Sequence, residues 1–115
     1  MIKNVVKRSG VVEEYDQTKI ANAAVKAFIA VNPGEREDIR ARKTEDLTRR
    51  VEEMIEEMMA GRHPNSIPAI EEIQDLVENA LIEARETATA KAYILYRAKH
   101  EAMRDVGKLM LDIDS

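Results

Sequence analysis

The sequence predicts a small α+β domain, a bundle of three or four helices under a β-hairpin lid with one added short strand. Three observations predict it. The 115 residues leave room for one ordinary domain. Two β-branched runs flank Ser9-Gly10 near the start, and from Ile20 onward the apolar residues recur at helical spacing. With 44% apolar and 35% charged residues spread along its length, the chain lies on the globular side of the boundary with disorder. Tyr15, Phe28, Tyr93 and Tyr96 are its only aromatic residues, so methyl-bearing side chains must make the core.

The stretch from Asn4 to Tyr15 reads as the hairpin, because Ser9-Gly10 suits a tight turn and glycine tolerates positive φ. Asp16 is then the expected N-cap of a helix whose inner face is Ile20, Ala24, Ala27, Phe28 and Val31, ended by Asn32-Pro33-Gly34. Residues 35–43 are highly charged and read as loop or an early helical turn. Thr44 is the expected cap of a second helix with Leu47, Val51, Met54, Ile55 and Met58 inward, and with Glu52, Glu53, Glu56 and Glu57 in a solvent-facing row. Gly61 to Ser66 breaks the pattern, and Ser66-Ile67-Pro68 is the expected extra strand. A third helix buries Ile73, Leu76, Val77, Ala80 and Leu81. The last runs from about Thr87 toward Leu111 with Ala92, Leu95, Tyr96, Met103, Val106 and Met110 inward, its final turns extending past the globular body.

Several classes of chemistry are excluded. No cysteine is present, which removes disulfides, cysteine-ligated zinc, iron–sulfur clusters and thiolate or thiyl chemistry. No glycine-rich phosphate fingerprint occurs among the four glycines. His63 and His100 stand far apart and suggest no metal site; His63, beside Pro64, reads as a solvated loop residue. No apolar run approaches a membrane span, and Lys3, Lys7 and Arg8 break up the start, so the expectation is a cytoplasmic protein without membrane contact. The net charge of −4 is uneven. Residues 1–44 carry nine Lys/Arg against six Asp/Glu, residues 45–86 carry four against twelve, and residues 87–115 carry five against four. That balance disfavours duplex nucleic acid but leaves room for a small anion at the basic N-terminal part.

The informative cluster is Val6-Lys7-Arg8-Ser9-Gly10 followed by Glu13, Asp16 and Lys19. On a strand Lys7 and Arg8 point to opposite faces, although a turn lets both curl to one end. Lys19, one turn into the first helix, sits near N–H groups that favour an anion, and three cations at a helix N-terminus suit a polyphosphate. An ionised carboxylate only accepts hydrogen bonds, so Glu13 or Asp16 can select the exocyclic amine of adenine over the carbonyl of guanine. From spacing alone Asp16 reads first as a plain helix cap and Glu13 as a surface ion-pair partner.

The run from Val5 to Ile20, with Glu71 to Glu78 and Ala90 to Arg97, resembles the ATP-cone family, especially as it stands at the N-terminus of ribonucleotide reductase large subunits. The resemblance covers about residues 3–99. It implies a four-helix bundle covered by a three-stranded sheet, binding ATP or dATP with Mg2+ as an on/off sensor for the reductase. By motif position Val5 lies at the base, Glu13 and Asp16 face adenine, and Lys7, Arg8 and Lys19 face phosphates. Gln74 stands where some members place a histidine beside the ribose, and no hydroxyl residue occurs near Ala69-Ile70. Position 98, where a basic residue of the last helix would reach phosphate, is Ala98, so Lys99 or Lys91 would substitute. Tyr93 and Tyr96 read as core packing with their hydroxyls at the edge.

These features imply a nucleotide-binding domain over 1–99 and a helical extension or linker over 100–115. Without cysteines the chain is not expected to catalyse ribonucleotide reduction, which the resemblance ties to cysteine radicals. The expected role is allosteric regulation of deoxyribonucleotide synthesis, with the catalytic domain or subunits of a reductase as partner and nucleotide-dependent self-association as a further expectation. Two alternatives remain: the ATP-cone part of a transcriptional repressor of reductase genes, and a helical interaction module that has lost nucleotide binding.

Overall fold

Gly10 adopts φ 89°, a left-handed conformation that glycine takes at little cost, and lets the chain reverse between β1 (Asn4–Val6) and β2 (Val12–Glu14). The computed structural model describes residues 2–114, and the side chains of residues 2–103. The strands are antiparallel, with Val5 opposite Glu13 and Val6 opposite Val12. The Gly10 N–H donates to the Lys7 carbonyl at 2.8 Å and closes the turn. Strand alternation sends Val5 into the core while Lys7 and Arg8 lie in the turn itself.

Among the described residues the sheet has two strands, not three. What was expected as a third strand is a single parallel bridge between Val6 and Ala69, fastened by the Val6 N–H to the Pro68 carbonyl at 2.9 Å. Pro68 has no N–H to extend a ladder, and the next residue after Ala69 already starts a helix.

Helix α1 (Gln17–Val31) begins at Asp16, whose carboxylate accepts from the Thr18 N–H at 3.0 Å and the Thr18 hydroxyl at 2.6 Å. It buries Ile20, Ala24, Ala27 and Phe28, whereas Val31, expected inward, is 43% exposed in the final turn. Helix α2 (Glu37–Ala60) starts well before Thr44. Glu37 and Asp38 favour its positive N-terminal end, and this charge pattern carries no apolar signal. Thr44 is therefore not a cap. It is buried within the helix, its hydroxyl donating to the Arg40 carbonyl at 2.8 Å, as the Thr48 hydroxyl does to the Thr44 carbonyl at 2.7 Å. Glu52 also departs from the solvent-facing row: half-buried, it accepts from the Tyr15 hydroxyl at 2.9 Å and from Gln17 Nε2 at 2.8 Å.

Helix α3 (Ile70–Glu83) has no capping side chain at Ala69, so Glu72 accepts from the Ala69 N–H at 3.1 Å and is gripped in turn by the Arg62 guanidinium. Helix α4 (Thr87–Asp114) runs unbroken across residues 99 and 100. It buries Thr89, Ala90 and Tyr93, while Leu95 and Met103, expected inward, are 70% and 62% exposed. Leu95 lies two residues from Tyr93, about 200° around the helix, so both cannot face the bundle. Val106 and Met110 lie outside the described side chains. The four helices pack in a ring, α1 against α2 and α4, and α3 against the same two, around Ala24, Val51, Ile55, Val77 and Leu81. Among the described residues no helix is long and apolar enough to cross a membrane.

Candidate functional site

The hairpin turn, α1, α3 and α4 enclose a groove of about 640 Å³. Its floor is apolar, because Ile20, Ile73, Val77 and Tyr93 turn their edges to it from the core and Ala23 leaves space above them. Its rim is basic: Lys7 and Arg8 come from the turn, Lys19 and Lys26 from α1, two turns apart, and Arg97 and His100 from α4. Glu13, Asn22 and Gln74 add the polar groups that accept hydrogen bonds. Such a surface accommodates a ligand with a flat apolar part and a multiply charged anionic part.

Electrostatics within the groove centre on Glu13. Lys19 Nζ lies 3.2 Å from one carboxylate oxygen and Lys7 Nζ 3.6 Å from the other. The hydrogen bond from Lys19 leads the effects that hold the Glu13 carboxyl below the usual glutamate range, so it stays an acceptor at neutral pH. Arg8 reaches across the narrow end to Glu101 on α4 at 2.5 Å. Arg97 is committed to α3, donating to Asp75 at 2.7 Å and Glu78 at 2.9 Å. The Tyr96 and His100 rings lie 4.2 Å apart, with Lys26 Nζ 5.6 Å from the Tyr96 centroid. Burial pushes the Tyr93 hydroxyl up to about 12, so it remains a neutral donor.

Of the residues the sequence singled out, the structure brings Lys7, Arg8, Glu13, Lys19 and Gln74 together in this groove. Val5 lies beneath it as a core residue, 4% exposed. Asp16 and Lys99 do not line it. Asp16 is spent on α1: besides Thr18, the Lys19 N–H donates to its carbonyl at 3.1 Å. The amides expected to attract an anion at this helix N-terminus are thus occupied by the protein's own cap, and the positive charge comes from side chains. His63 is exposed, its Nδ1 accepting from the Asn65 N–H. Sequence reasoning did not assign Lys26, Arg97 or His100 to the site. For Lys26 a signal existed, since it lies two helical turns after Lys19 on the same face of α1.

A β-hairpin lid over four helices, with a groove rimmed by basic side chains between them, defines a small α+β domain whose groove suits an anionic ligand. Residues 3–102 match the profile of the ATP cone domain. The chain belongs to the ATP-cone family. Its alignment of 115 positions with the vitamin B12-dependent ribonucleoside-diphosphate reductase of Thermoplasma acidophilum is 36% identical and covers 96% of this chain and 13% of that protein. The chain is also 36% identical over 104 residues to the ribonucleoside-diphosphate reductase subunit alpha of Chlamydia muridarum, and 37% identical over 109 residues to that of Chlamydia trachomatis. Each of those alignments covers 89% of this chain and 10% of the relative. The chain thus spans about a tenth to an eighth of the length of these curated relatives.

Proposed function

We propose that the groove binds an adenine nucleotide, ATP or dATP, and that the domain uses this binding to switch the overall activity of a ribonucleotide reductase through changes in assembly. The observation that carries the reading is the grouping of Lys7, Arg8, Lys19 and Lys26 with a single acceptor carboxylate, Glu13, around an apolar floor. A volume of about 640 Å³ falls within the roughly 300–1,000 Å³ of typical small-molecule sites. Lys7, Arg8 and Lys19 hold the phosphates, Glu13 accepts from the adenine amine, and Gln74 meets the ribose with an amide that both donates and accepts. Asp16 serves from behind by fixing the first turn of α1, and Val5 by supporting the hairpin. Lys99 is exposed and does not line the groove, and Lys26 takes the place it was expected to fill. A magnesium ion accompanies the phosphates and needs no protein cage of its own.

The nucleotide domain extends over 1–99, and 100–115 lead toward the catalytic part that the domain controls. The names of the relatives support a reductase as that partner. In this reading the chain senses nucleotides in the cytoplasm and leaves the radical chemistry to its partner. Calorimetric titration with ATP, dATP and GTP tests it: ATP or dATP binds and GTP binds more weakly. Absence of adenine-nucleotide binding at millimolar ligand sinks the proposal. Sedimentation with each nucleotide then reads the assembly step.

A further inference from the structure

Arg8 stands at a fork. Its guanidinium lines the groove, and it also pairs with Glu101 of α4 at 2.5 Å, both side chains being nearly half exposed. Gln74, Arg97 and His100 line the same narrow end. We propose that the Arg8–Glu101 pair is a latch between the hairpin and α4, released when phosphate groups in the groove claim Arg8. The proposal rests on the reading of the groove as a polyphosphate site and deepens it by naming the contact through which occupancy reaches α4.

Three features support the latch. Glu101 takes Arg8 through Nη2, so a phosphate that draws the guanidinium in through that nitrogen competes with the carboxylate for it. The pair is half exposed, hence weak enough to exchange under a ligand of higher charge. Arg97, the other arginine of this end, is already engaged with Asp75 and Glu78 of α3, and Arg8 is the arginine that pairs with Glu101. Glu101 belongs to the part of α4 that continues to Asp114, so the pair ties the lid to the C-terminal half of the last helix. By linkage, whatever draws Arg8 into the groove loosens the tie, and whatever loosens the tie strengthens ligand binding.

Glu101 is thus a positioning residue, and a double-mutant cycle on the whole chain tests its role. Wild type, Glu101→Gln, Arg8→Ala and the double variant are titrated with inorganic tripolyphosphate and with ATP. Amide exchange around Glu101 is followed with and without tripolyphosphate. Glu101→Gln should tighten both ligands about two- to fivefold, in keeping with the strength of half-exposed pairs, and the gain should vanish in the Arg8→Ala background. Tripolyphosphate should speed exchange around Glu101 in the wild type and leave Glu101→Gln unchanged. Tight binding with no gain in Glu101→Gln overturns the latch alone, as does a gain that persists without Arg8, which would be a general field effect. A wild type that binds neither ligand overturns the polyphosphate reading and the latch with it.

Discussion

Replacing Lys19 by alanine removes one cation from the rim of the groove and leaves its floor untouched. A charge-assisted contact to phosphate contributes about 1.5–3 kcal/mol, but Lys19 is 63% exposed and must first leave Glu13, 3.2 Å away. Both facts place the expected loss at or below the low end of that range, about 1–2 kcal/mol, or about 5- to 30-fold in Kd. Calorimetry with ATP reads this directly. Lys99→Ala is the matched control, since Lys99 is exposed and outside the groove: its effect should stay within about twofold, the size of a screened long-range charge. The thermal midpoint of the ligand-free domain should hardly move in either variant, because neither side chain is in the core. Equal losses from Lys19→Ala and Lys99→Ala, or a larger loss from the latter, would refute the placement of the phosphates beside α1.

Glu13→Gln exchanges a pure acceptor for a group that also donates, so the preference for ATP over GTP should shrink; an unaltered ratio of the two affinities removes Glu13 from base selection. The Arg62 hydrogen bonds hold Glu72 down to about 2 from an ordinary 4.5, so the folded state binds that proton less readily than the unfolded chain does. The stability this confers is present above the ordinary glutamate range and is lost as pH falls through about 2. Thermal midpoints should drop more steeply for wild type than for Glu72→Gln between about pH 5 and pH 2, and parallel curves would contradict it. Leu81→Ala, at a fully buried position, should cost about 2–5 kcal/mol in urea unfolding, and a loss below about 1 kcal/mol would mean the core closes over the gap.

Much of this arrangement was legible in the residues themselves, and the rest fails for identifiable reasons. Ile20, Ala24, Ala27 and Phe28 announce α1 because large and small apolar groups recur on one face, and Asp16 announces its start because capping is local chemistry. The start of α2 is silent, since Glu37 to Lys43 offer helix-favouring charge without apolar period. In α4 the buried stripe runs through Thr89 and Ala90, which hydropathy scarcely marks, while the more apolar Leu95 draws attention to the wrong face. The turn and the first helix supply the part of the site that is contiguous in sequence. Lys26, Arg97 and His100 join it only because α1 and α4 pack side by side, a relation that no spacing within either helix expresses.

Among the described residues, two hydrogen bonds fasten the lid to the bundle outside the groove: the Val6 N–H on the Pro68 carbonyl, and the Tyr15 hydroxyl on Glu52. One rivet is main chain to main chain, so no exchange of the side chain at position 68 can delete its acceptor. The other is a side-chain pair that a single substitution can undo. The two ends of the lid are therefore unequally open to mutation, and the angle at which the hairpin overhangs the groove can drift across descendants by changes at positions 15 and 52 alone. The shape of the groove's mouth can then be retuned over many generations while every residue that lines it stays as it is.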